Sequence, residues 1–363
     1  MTWQPRTVGV EEELLVLTPD GSPAPRAREI LQGASTEHGP LVNEFMEEQL
    51  ETSTAPTRSL TELAGALRAG RAGARDAAAQ QDAHVAALAT SPVAFTGTTV
   101  ARLRYLEARS RFGITAWEQL TNGCHVHVAV ADDEEGVAVI DRVGPWLAPL
   151  LALSANSPFW QSGETGYESY RSQVWARWPT AGPTREFGSA AAYHQAVAAL
   201  VATETVLDEA MVYFDARLST RWPTVELRVA DVCLDVDSAV VLAALARALV
   251  ETAARAAAAG EPVATAPPEV LRTAHWQAGQ RGLGGALIDP ATWRPAPAHD
   301  VVGALVTHVR EALSDAGDLD VVTELLGALW ARGNGAARQR AWAAACDGDL
   351  ALVARRAADA LVA

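Results

Sequence analysis

Three short stretches of this sequence place ionisable side chains two residues apart inside otherwise apolar runs. The pairs are Glu11 with Glu13, His125 with His127, and Glu226 with Arg228. Because residues i and i+2 of a β-strand share one face, each stretch predicts a strand with one apolar face and one ionisable face. Glutamate oxygens and histidine nitrogens are ligands for divalent metal ions. If the three polar faces meet in one sheet, they form an acidic, metal-binding floor for a reaction.

A half-buried strand with a charged face in water is the simpler interpretation of any one stretch, because antiparallel strands commonly alternate in this way. A solvent-exposed face, however, normally mixes Thr, Ser, Lys, Gln and Arg, whereas these positions are almost entirely Glu and His. Glu12 is predicted to point away from Glu11 and Glu13. Two carboxylates as close as those of Glu11 and Glu13 repel unless cations separate them. The cations could be arginines, or they could be Mg²⁺ or Mn²⁺.

Other residues fit the same chemistry. Glu51 could face the same floor, and Glu44 is a weaker candidate. Glu226 and Arg228 could form a simple same-face pair, or the carboxylate could bind metal while the guanidinium stabilises phosphoryl charge. Arg171 lies in an aromatic segment and could clamp a carboxylate or phosphate, or it could be a surface arginine stacked on an aromatic ring.

Composition limits the class of protein. The chain has 363 residues, of which 49% are hydrophobic, so it can bury a sizeable core in one large domain or two ordinary ones. The net charge of -15 argues against nucleic acid as a partner. The beginning of the chain lacks a signal-peptide pattern, and no long uncharged apolar run predicts a membrane span. The three cysteines are widely spaced, which favours a reduced, cytoplasmic protein.

The sequence contains no lysine, so all 29 basic residues are arginines. This excludes a P-loop lysine and a Schiff-base lysine. The glycine pattern of a dinucleotide-binding turn is also missing from the sequence. If the protein uses a nucleotide, arginines and metal ions must therefore hold its phosphates.

The order of predicted elements indicates the fold class. Strands are predicted at 7–17, 41–54, 92–96, 115–130, 212–218 and 224–232. Helices are predicted at 59–88, 101–112, 134–153, 189–207, 236–259 and 269–280, with an aromatic loop at 154–188. Helices interrupt the strands without a βαβ rhythm, which favours an α+β fold with an antiparallel sheet. We expect a single domain over 1–363, with about 298–363 as a helical C-terminal part. The Ala-rich helices could pack on this sheet or on a second copy, which leaves a homodimer open.

Five motifs in this order resemble the bacterial type-2 glutamate–cysteine ligase family, also called the carboxylate–amine ligases. The motifs lie at 9–13, 51–54, 122–128, 170–179 and 225–231. The resemblance runs from about residue 6 to beyond 290. No single motif is decisive, but five in the right order are specific.

The resemblance implies a glutamine-synthetase-like fold whose antiparallel sheet lines the active site, with ATP as co-substrate and Mg²⁺ or Mn²⁺ as cofactor. By motif position, the metal-binding residues would be Glu11, Glu13, Glu51, His125 and Glu226. Arg228 would contact phosphate and act with Glu226 in catalysis, and Arg171 would contact substrate or phosphate. The resemblance assigns no role to His127 or Glu44.

The expected activity is ATP-dependent amide formation through an acyl phosphate. Glutamate would supply the carboxylate, and cysteine or a related amine would supply the nitrogen, giving a γ-glutamyl-type amide, ADP and phosphate. The segment 160–178 could close over the site and exclude water. Three alternatives remain open. They are a metal-dependent hydrolase of amide or phosphate ester bonds, a non-catalytic binding protein on the same fold, and a ligase with the same chemistry that uses another amino acid or another amine.

Overall fold

The computed structural model describes residues 4–34 and 40–362. Its strands are β1 (Val8–Leu17), β2 (Leu41–Asn43), β3 (Gln49–Ser53), β4 (His84–Ala86), β5 (Gly123–Ala129), β6 (Phe159–Trp160), β7 (Gly163–Glu164), β8 (Ala216–Leu218), β9 (Thr224–Asp231), β10 (Ala286–Asp289) and β11 (Arg294–Pro297). Seven of these strands form one sheet in the order β2-β3-β1-β5-β9-β8, with β4 also paired to β1. Every pairing in this sheet is antiparallel. The predicted α+β fold with an antiparallel sheet is confirmed.

Helices pack around this sheet. They are α1 (Ala27–Gly33), α2 (Leu60–Ala79), α3 (Leu103–Phe112), α4 (Ile114–Trp117), α5 (Asp133–Val143), α6 (Leu147–Ser154), α7 (Arg171–Trp175), α8 (Ala190–Ala202), α9 (Val236–Ala258), α10 (Pro268–Arg281), α11 (Ala298–His308), α12 (Arg310–Ala316), α13 (Leu319–Arg332), α14 (Gly335–Ala344) and α15 (Leu350–Asp359). The central helix is α9, which contacts α2, α5, α6, α12 and α13 as well as β1 and β5. The largest apolar core joins α9 to the sheet through residues such as Val10, Val126 and Leu227. These residues alternate with the ionisable ones, so the opposite face of the sheet is polar.

A β-bulge in β9 changes which side chains share a face. Cys124 pairs with Ala230 and Val126 pairs with Leu227, so two residues of β9 lie opposite His125. Such a bulge breaks the period-two alternation of a strand. As a result Asp231, which pairs with Gly123, lies on the same face of the sheet as Glu226.

One helical stretch, Asp133–Ser154, has the length and composition of a membrane span, with a mean hydropathy of 1.4. It consists of α5, α6 and the turn between them. Because 78% of its most apolar window is buried and both helices pack against α9, it is a core element of this fold.

Three departures from the predicted elements lie between residue 59 and the start of β5. The helix predicted over 59–88 ends at Ala79, because residues 84–86 pair with β1 as β4 even though the Ala-rich sequence favours helix. Residues 92–96 form a loop where a strand was predicted. The strand predicted from residue 115 begins only at Gly123, since α4 occupies the start of that range. Propensity over short segments is readily overridden by such tertiary pairing.

Candidate active site

A cleft of about 570 Å³ lies over the polar face of the sheet. This volume is within the range of small-molecule sites. We call the ionisable residues on the strands beneath it the floor: Glu11, Glu13, Glu51, His125, His127, Arg217, Glu226 and Arg228. The structure thus brings together the five predicted metal-binding residues and Arg228.

Strand register places these side chains next to one another. The cross-strand pairs are Glu11 with His125, Glu13 with Glu51, His127 with Glu226, and Glu226 with Arg217. Directly opposed residues on antiparallel strands point to the same face, with Cβ atoms roughly 5 Å apart. The three polar faces that were predicted from strand alternation therefore form one continuous floor.

The first group of candidate ligands, the Glu11 cluster, consists of Glu11, His125 and Glu226. Their ligand atoms lie within 4.8 Å of one another. Nδ1 of His125 is 3.7 Å from a carboxylate oxygen of Glu11, and its buried Nε2 has no hydrogen-bond partner among the described residues. Burial and the nearby Arg228 lower the pKa of His125 to about 4. The imidazole is therefore neutral near pH 7 and has a lone pair to offer a metal ion.

The second group, the Glu13 cluster, consists of Glu13, Glu44 and Glu51, again with ligand atoms within 4.8 Å of one another. Burial and the neighbouring Glu44 raise the pKa of Glu13 to about 7. Burial and Glu44 also raise the pKa of Glu51 well above its usual value. Crowded carboxylates of this kind are stabilised by a cation. Glu44, the weaker candidate from the sequence, thus joins two residues of the floor.

The raised pKa values predict that metal binding releases protons. Without metal, Glu13 is partly protonated at pH 7 because its pKa is about 7, and the raised pKa of Glu51 acts in the same direction, so a divalent ion must displace protons. The apparent metal affinity should therefore rise as the pH is raised through about 7, the pKa of Glu13. Calorimetry of Mn²⁺ binding in two buffers of different ionisation enthalpy should show net proton release at pH 7. Identical apparent enthalpies in both buffers would contradict this prediction.

Two arginines flank Glu226 on the floor. Nε of Arg217 lies 2.8 Å from one carboxylate oxygen, and Nη1 of Arg228 donates to the other. Burial alone would raise the pKa of Glu226, but Arg228 and Arg217 hold it well below its usual value. The guanidinium of Arg228 also lies 5.7 Å from the ring centre of Trp175. Glu226 is thus a carboxylate that stays ionised deep in the site.

Arg217 was missed by sequence reasoning, since β8 has only three residues and too little alternation to reveal a face. Its cross-strand partner Glu226 was the only available signal.

His127 is fixed beside the Glu11 cluster. Its Nδ1 lies 3.0 Å from the hydroxyl of Thr224. Its buried Nε2 lies 3.3 Å from a carboxylate oxygen of Glu11 and 4.0 Å from one of Glu226. Both floor histidines therefore direct a ring nitrogen at the carboxylates of this cluster.

Arg171 differs from its predicted position. It is only 2% exposed and is not among the described residues that line the cleft. Its guanidinium lies behind the floor, with Nη1 3.9 Å from Asp231 and with the ring of Trp175 at 5.6 Å. The predicted direct contact with substrate or phosphate is therefore not supported by this position. The alternative of a surface arginine is wrong, since the side chain is buried, whereas the contact with substrate or phosphate stays a prediction.

The rim of the cleft carries further cations and aromatic rings. We define the rim as Arg102, Arg104 and Tyr105 around the start of α3, with Arg221 and Trp222 in the β8–β9 turn. The aromatic residues of segment 160–178, which was predicted to close over the site, fall into two groups. Trp175 and Trp178 line the cleft, whereas Trp160, Tyr167 and Tyr170 pack on one another outside the described lining.

Glu12 lies on the opposite face of β1, as predicted. It forms a fully buried ion pair with Arg71, whose Nη2 lies 2.6 Å from the carboxylate. Arg71 also donates to backbone carbonyls of Cys233, Leu234 and Leu361. The three consecutive glutamates of β1 thus have two different environments.

The chain is similar to known proteins over most of its length. Residues 7–355 match the model of the family described as glutamate-cysteine ligase family 2. A Streptomyces avermitilis protein, provisionally named glutamate–cysteine ligase 2-1, is 50% identical over 339 residues, which cover 92% of this chain and 94% of the relative. A Streptomyces coelicolor protein, provisionally named glutamate–cysteine ligase 2, is 52% identical over 339 residues, which cover 92% of this chain and 93% of the relative.

Solved structures share the fold at low sequence identity. The glutamate–cysteine ligase of Francisella tularensis, solved in complex with AMP, aligns with a TM-score of 0.72 at 14% identity, covering 100% of this chain and 90% of that one. A bifunctional glutathione synthetase from Pasteurella multocida aligns with a TM-score of 0.69 at 16% identity, covering 99% of this chain and 53% of that one.

Proposed function

The chain belongs to glutamate-cysteine ligase family 2, and from this premise we propose that it is an ATP-dependent carboxylate–amine ligase. The proposed carboxylate substrate is glutamate, and the proposed amine is cysteine or a related amine. The products would be a γ-glutamyl-type amide, ADP and phosphate. The prediction of a ligase-type enzyme is confirmed by the family match, whereas the identity of the two substrates remains a proposal.

The observation that carries the proposal is the pair of acidic clusters on and beside the floor. The ligand atoms within each cluster lie within 4.8 Å of one another. The donor set fits a divalent ion, since it combines crowded carboxylates with buried imidazole nitrogens that have no hydrogen-bond partner among the described residues.

Each cluster would hold one Mg²⁺ or Mn²⁺ ion. The residues for the first ion would be Glu11, His125 and Glu226, and those for the second would be Glu13, Glu44 and Glu51. Bound there, the ions would neutralise phosphate oxygens and make the γ-phosphorus of ATP more electrophilic.

The rest of the proposed catalysis depends on the positioning of the substrates and on electrostatic stabilisation. A γ-carboxylate oxygen of glutamate would attack the γ-phosphorus, and the bond to the leaving ADP would break, giving an acyl phosphate. Arg228, held by Glu226, would stabilise the negative charge of the transferring group. The amine nitrogen would then attack the acyl carbon, with loss of its proton and of inorganic phosphate. Trp175 and Trp178 in the cleft wall would limit water near the acyl phosphate.

The proposed setting is the cytoplasm, which supplies ATP and keeps thiols reduced. The sequence-based expectations of small-molecule substrates and no nucleic-acid partner are consistent with the cleft volume of about 570 Å³ and the net charge of -15.

The proposal is tested by measuring ADP release with ATP, Mg²⁺ and glutamate, with and without a panel of amines led by cysteine. We expect ADP release together with a new amide, identified by mass spectrometry. Omission of Mg²⁺, with a chelator present, is the matched control and should abolish turnover.

Two other results would oppose the proposal. If amide or phosphate ester bonds are split with metal but without ATP, the protein is a metal-dependent hydrolase. If no mixture of amino acids and amines releases ADP, the ligase proposal is wrong and a binding protein on this fold is favoured.

A further inference from the structure

Asp231 is a fully buried carboxylate at the end of β9 that has no role in the proposed chemistry. Its oxygens accept from the backbone N–H of Asn156 at 2.8 Å, from the hydroxyl of Ser157 at 2.7 Å and from the hydroxyl of Ser169 at 2.8 Å. One oxygen also lies 3.9 Å from Nη1 of Arg171. A buried carboxylate with this many donors is held in one place.

These bonds fasten both ends of the segment 156–169 to the sheet. Within the segment, Ser157 and Ser169 form a parallel bridge. Just after the segment, the backbone N–H of Arg171 donates to the hydroxyl of Ser157 at 3.0 Å. Asp231 thereby fixes the backbone position of Arg171, whose side chain extends behind the floor. Its negative charge also offsets the buried guanidinium, which costs less free energy when it is paired.

Arg171 is connected to the Glu13 cluster through Gly123. A Cβ atom on Gly123 would lie 2.3 Å from Nη2 of Arg171, so the guanidinium occupies the space that the missing side chain leaves. The backbone N–H of the same Gly123 donates to a carboxylate oxygen of Glu13 at 2.6 Å. Gly123 is also the cross-strand partner of Asp231. A single path of contacts therefore joins Asp231, Arg171, Gly123 and Glu13.

We propose that Asp231 is a positioning residue, which holds Arg171 against Gly123 and so fixes the Glu13 carboxylate for the ion of the Glu13 cluster. The inference rests on the proposed function, because it concerns one of the two proposed ions. Asp231 itself is 0% exposed and does not touch the cleft, so it acts only through Arg171 and Gly123. Partners behind metal ligands commonly change metal affinity by roughly 10- to 100-fold when they are removed.

The test is Asp231→Asn, which keeps a hydrogen-bonding side chain of the same size but removes the charge that faces Arg171. Mn²⁺ binding to the protein without ATP is measured by electron paramagnetic resonance, which reports number and affinity of bound ions independently of activity. We expect two tightly bound ions in the wild type. In the variant we expect one unchanged ion and one weakened about 10-fold or more.

Ser169→Ala is the matched control, because it removes a hydrogen bond to Asp231 and leaves the charge. A purely structural role of Asp231 predicts that both variants lose stability without any selective change in Mn²⁺ binding. If Asp231 acts through Arg171, the two residues act as one unit. The loss of Mn²⁺ affinity caused by Asp231→Asn should then shrink to less than about 2-fold in an Arg171→Gln background.

If Asp231→Asn alone does not fold, the double variant Asp231→Asn/Arg171→Gln is measured instead, since it removes both buried charges. It too should bind one of the two ions about 10-fold more weakly or worse. Wild-type protein that binds two ions while the folded variants bind both with unchanged affinity would overturn this inference alone. Wild-type protein that binds no Mn²⁺ would overturn the metal sites of the proposed function, and this inference with them.

Discussion

Glu226→Gln should lower the rate of ADP formation by on the order of 10³-fold or more, because one substitution removes several electrostatic interactions from the site. The carboxylate is a candidate ligand in the Glu11 cluster. It also orients Arg217 and Arg228, which both donate to it. A neutral amide cannot hold two guanidinium groups in place, so the cation that faces the transferring phosphoryl group would also move. The measurement is steady-state ADP formation at saturating Mg²⁺.

Glu107→Gln is the matched control for this change. Glu107 is an exposed carboxylate on α3 that pairs with Arg111 and does not line the described cleft. Such a surface ion pair contributes little to the free energy of unfolding, so the control should retain near-wild-type activity and stability. Circular dichroism should show that both variants are folded. If Glu226→Gln stays within about 10-fold of the wild type, which is well short of the loss expected for an electrostatic group of this kind, the role assigned to Glu226 is wrong.

Glu12→Gln and Glu13→Gln, although adjacent in sequence, should have opposite effects. Glu12→Gln leaves the buried Arg71 without its carboxylate and should cost about 3–5 kcal/mol of unfolding free energy. The folded fraction should keep its activity, because Glu12 faces away from the cleft. Glu13→Gln should abolish ATP turnover while leaving stability unchanged or higher, since it removes a carboxylate from a crowded acidic cluster.

Denaturant unfolding of the metal-free proteins, combined with ADP formation per folded molecule, separates the two effects. Added Mn²⁺ should raise the midpoint of thermal unfolding of the wild type and of Glu12→Gln by mass action. The same addition should give a smaller rise for Glu13→Gln, because a ligand has been removed. Glu13→Gln with wild-type turnover, or Glu12→Gln with wild-type stability, would contradict the assignment of the two faces of β1.

Much of the floor could be predicted because strand alternation is a local property. The stretches around Glu11, His125 and Glu226 each contain enough residues to define a face. Antiparallel pairing then aligned the three faces without any further signal, since directly opposed residues share a side of the sheet. The family motifs added Glu51 and the roles of the residues. For these elements, sequence pattern and final fold agree.

The remaining features depend on contacts between distant parts of the chain. Glu44 lies between β2 and β3, where no alternation indicates a direction, and only the fold brings it to Glu13. Arg171 was expected in the cleft, but Asp231 and the missing side chain of Gly123 place it behind the floor. The position of Asp231 itself depends on the bulge in β9, which pure period-two alternation cannot predict. The short strand β4 formed because β1 offered it an edge to pair with.

The described lining of the cleft carries five glutamates and five arginines, so acidic and basic side chains are equal in number. The charges are nevertheless separated in depth. All the carboxylates lie on or beside the floor, and three of the arginines, Arg102, Arg104 and Arg221, lie on the rim. A zwitterion can place its ammonium group toward the carboxylates and its carboxylate toward the guanidinium groups. For the proposed ligase, recognition at the entrance would then depend on how a ligand distributes its charge rather than on how much charge it carries, which would favour free amino acids over plain amines or plain acids.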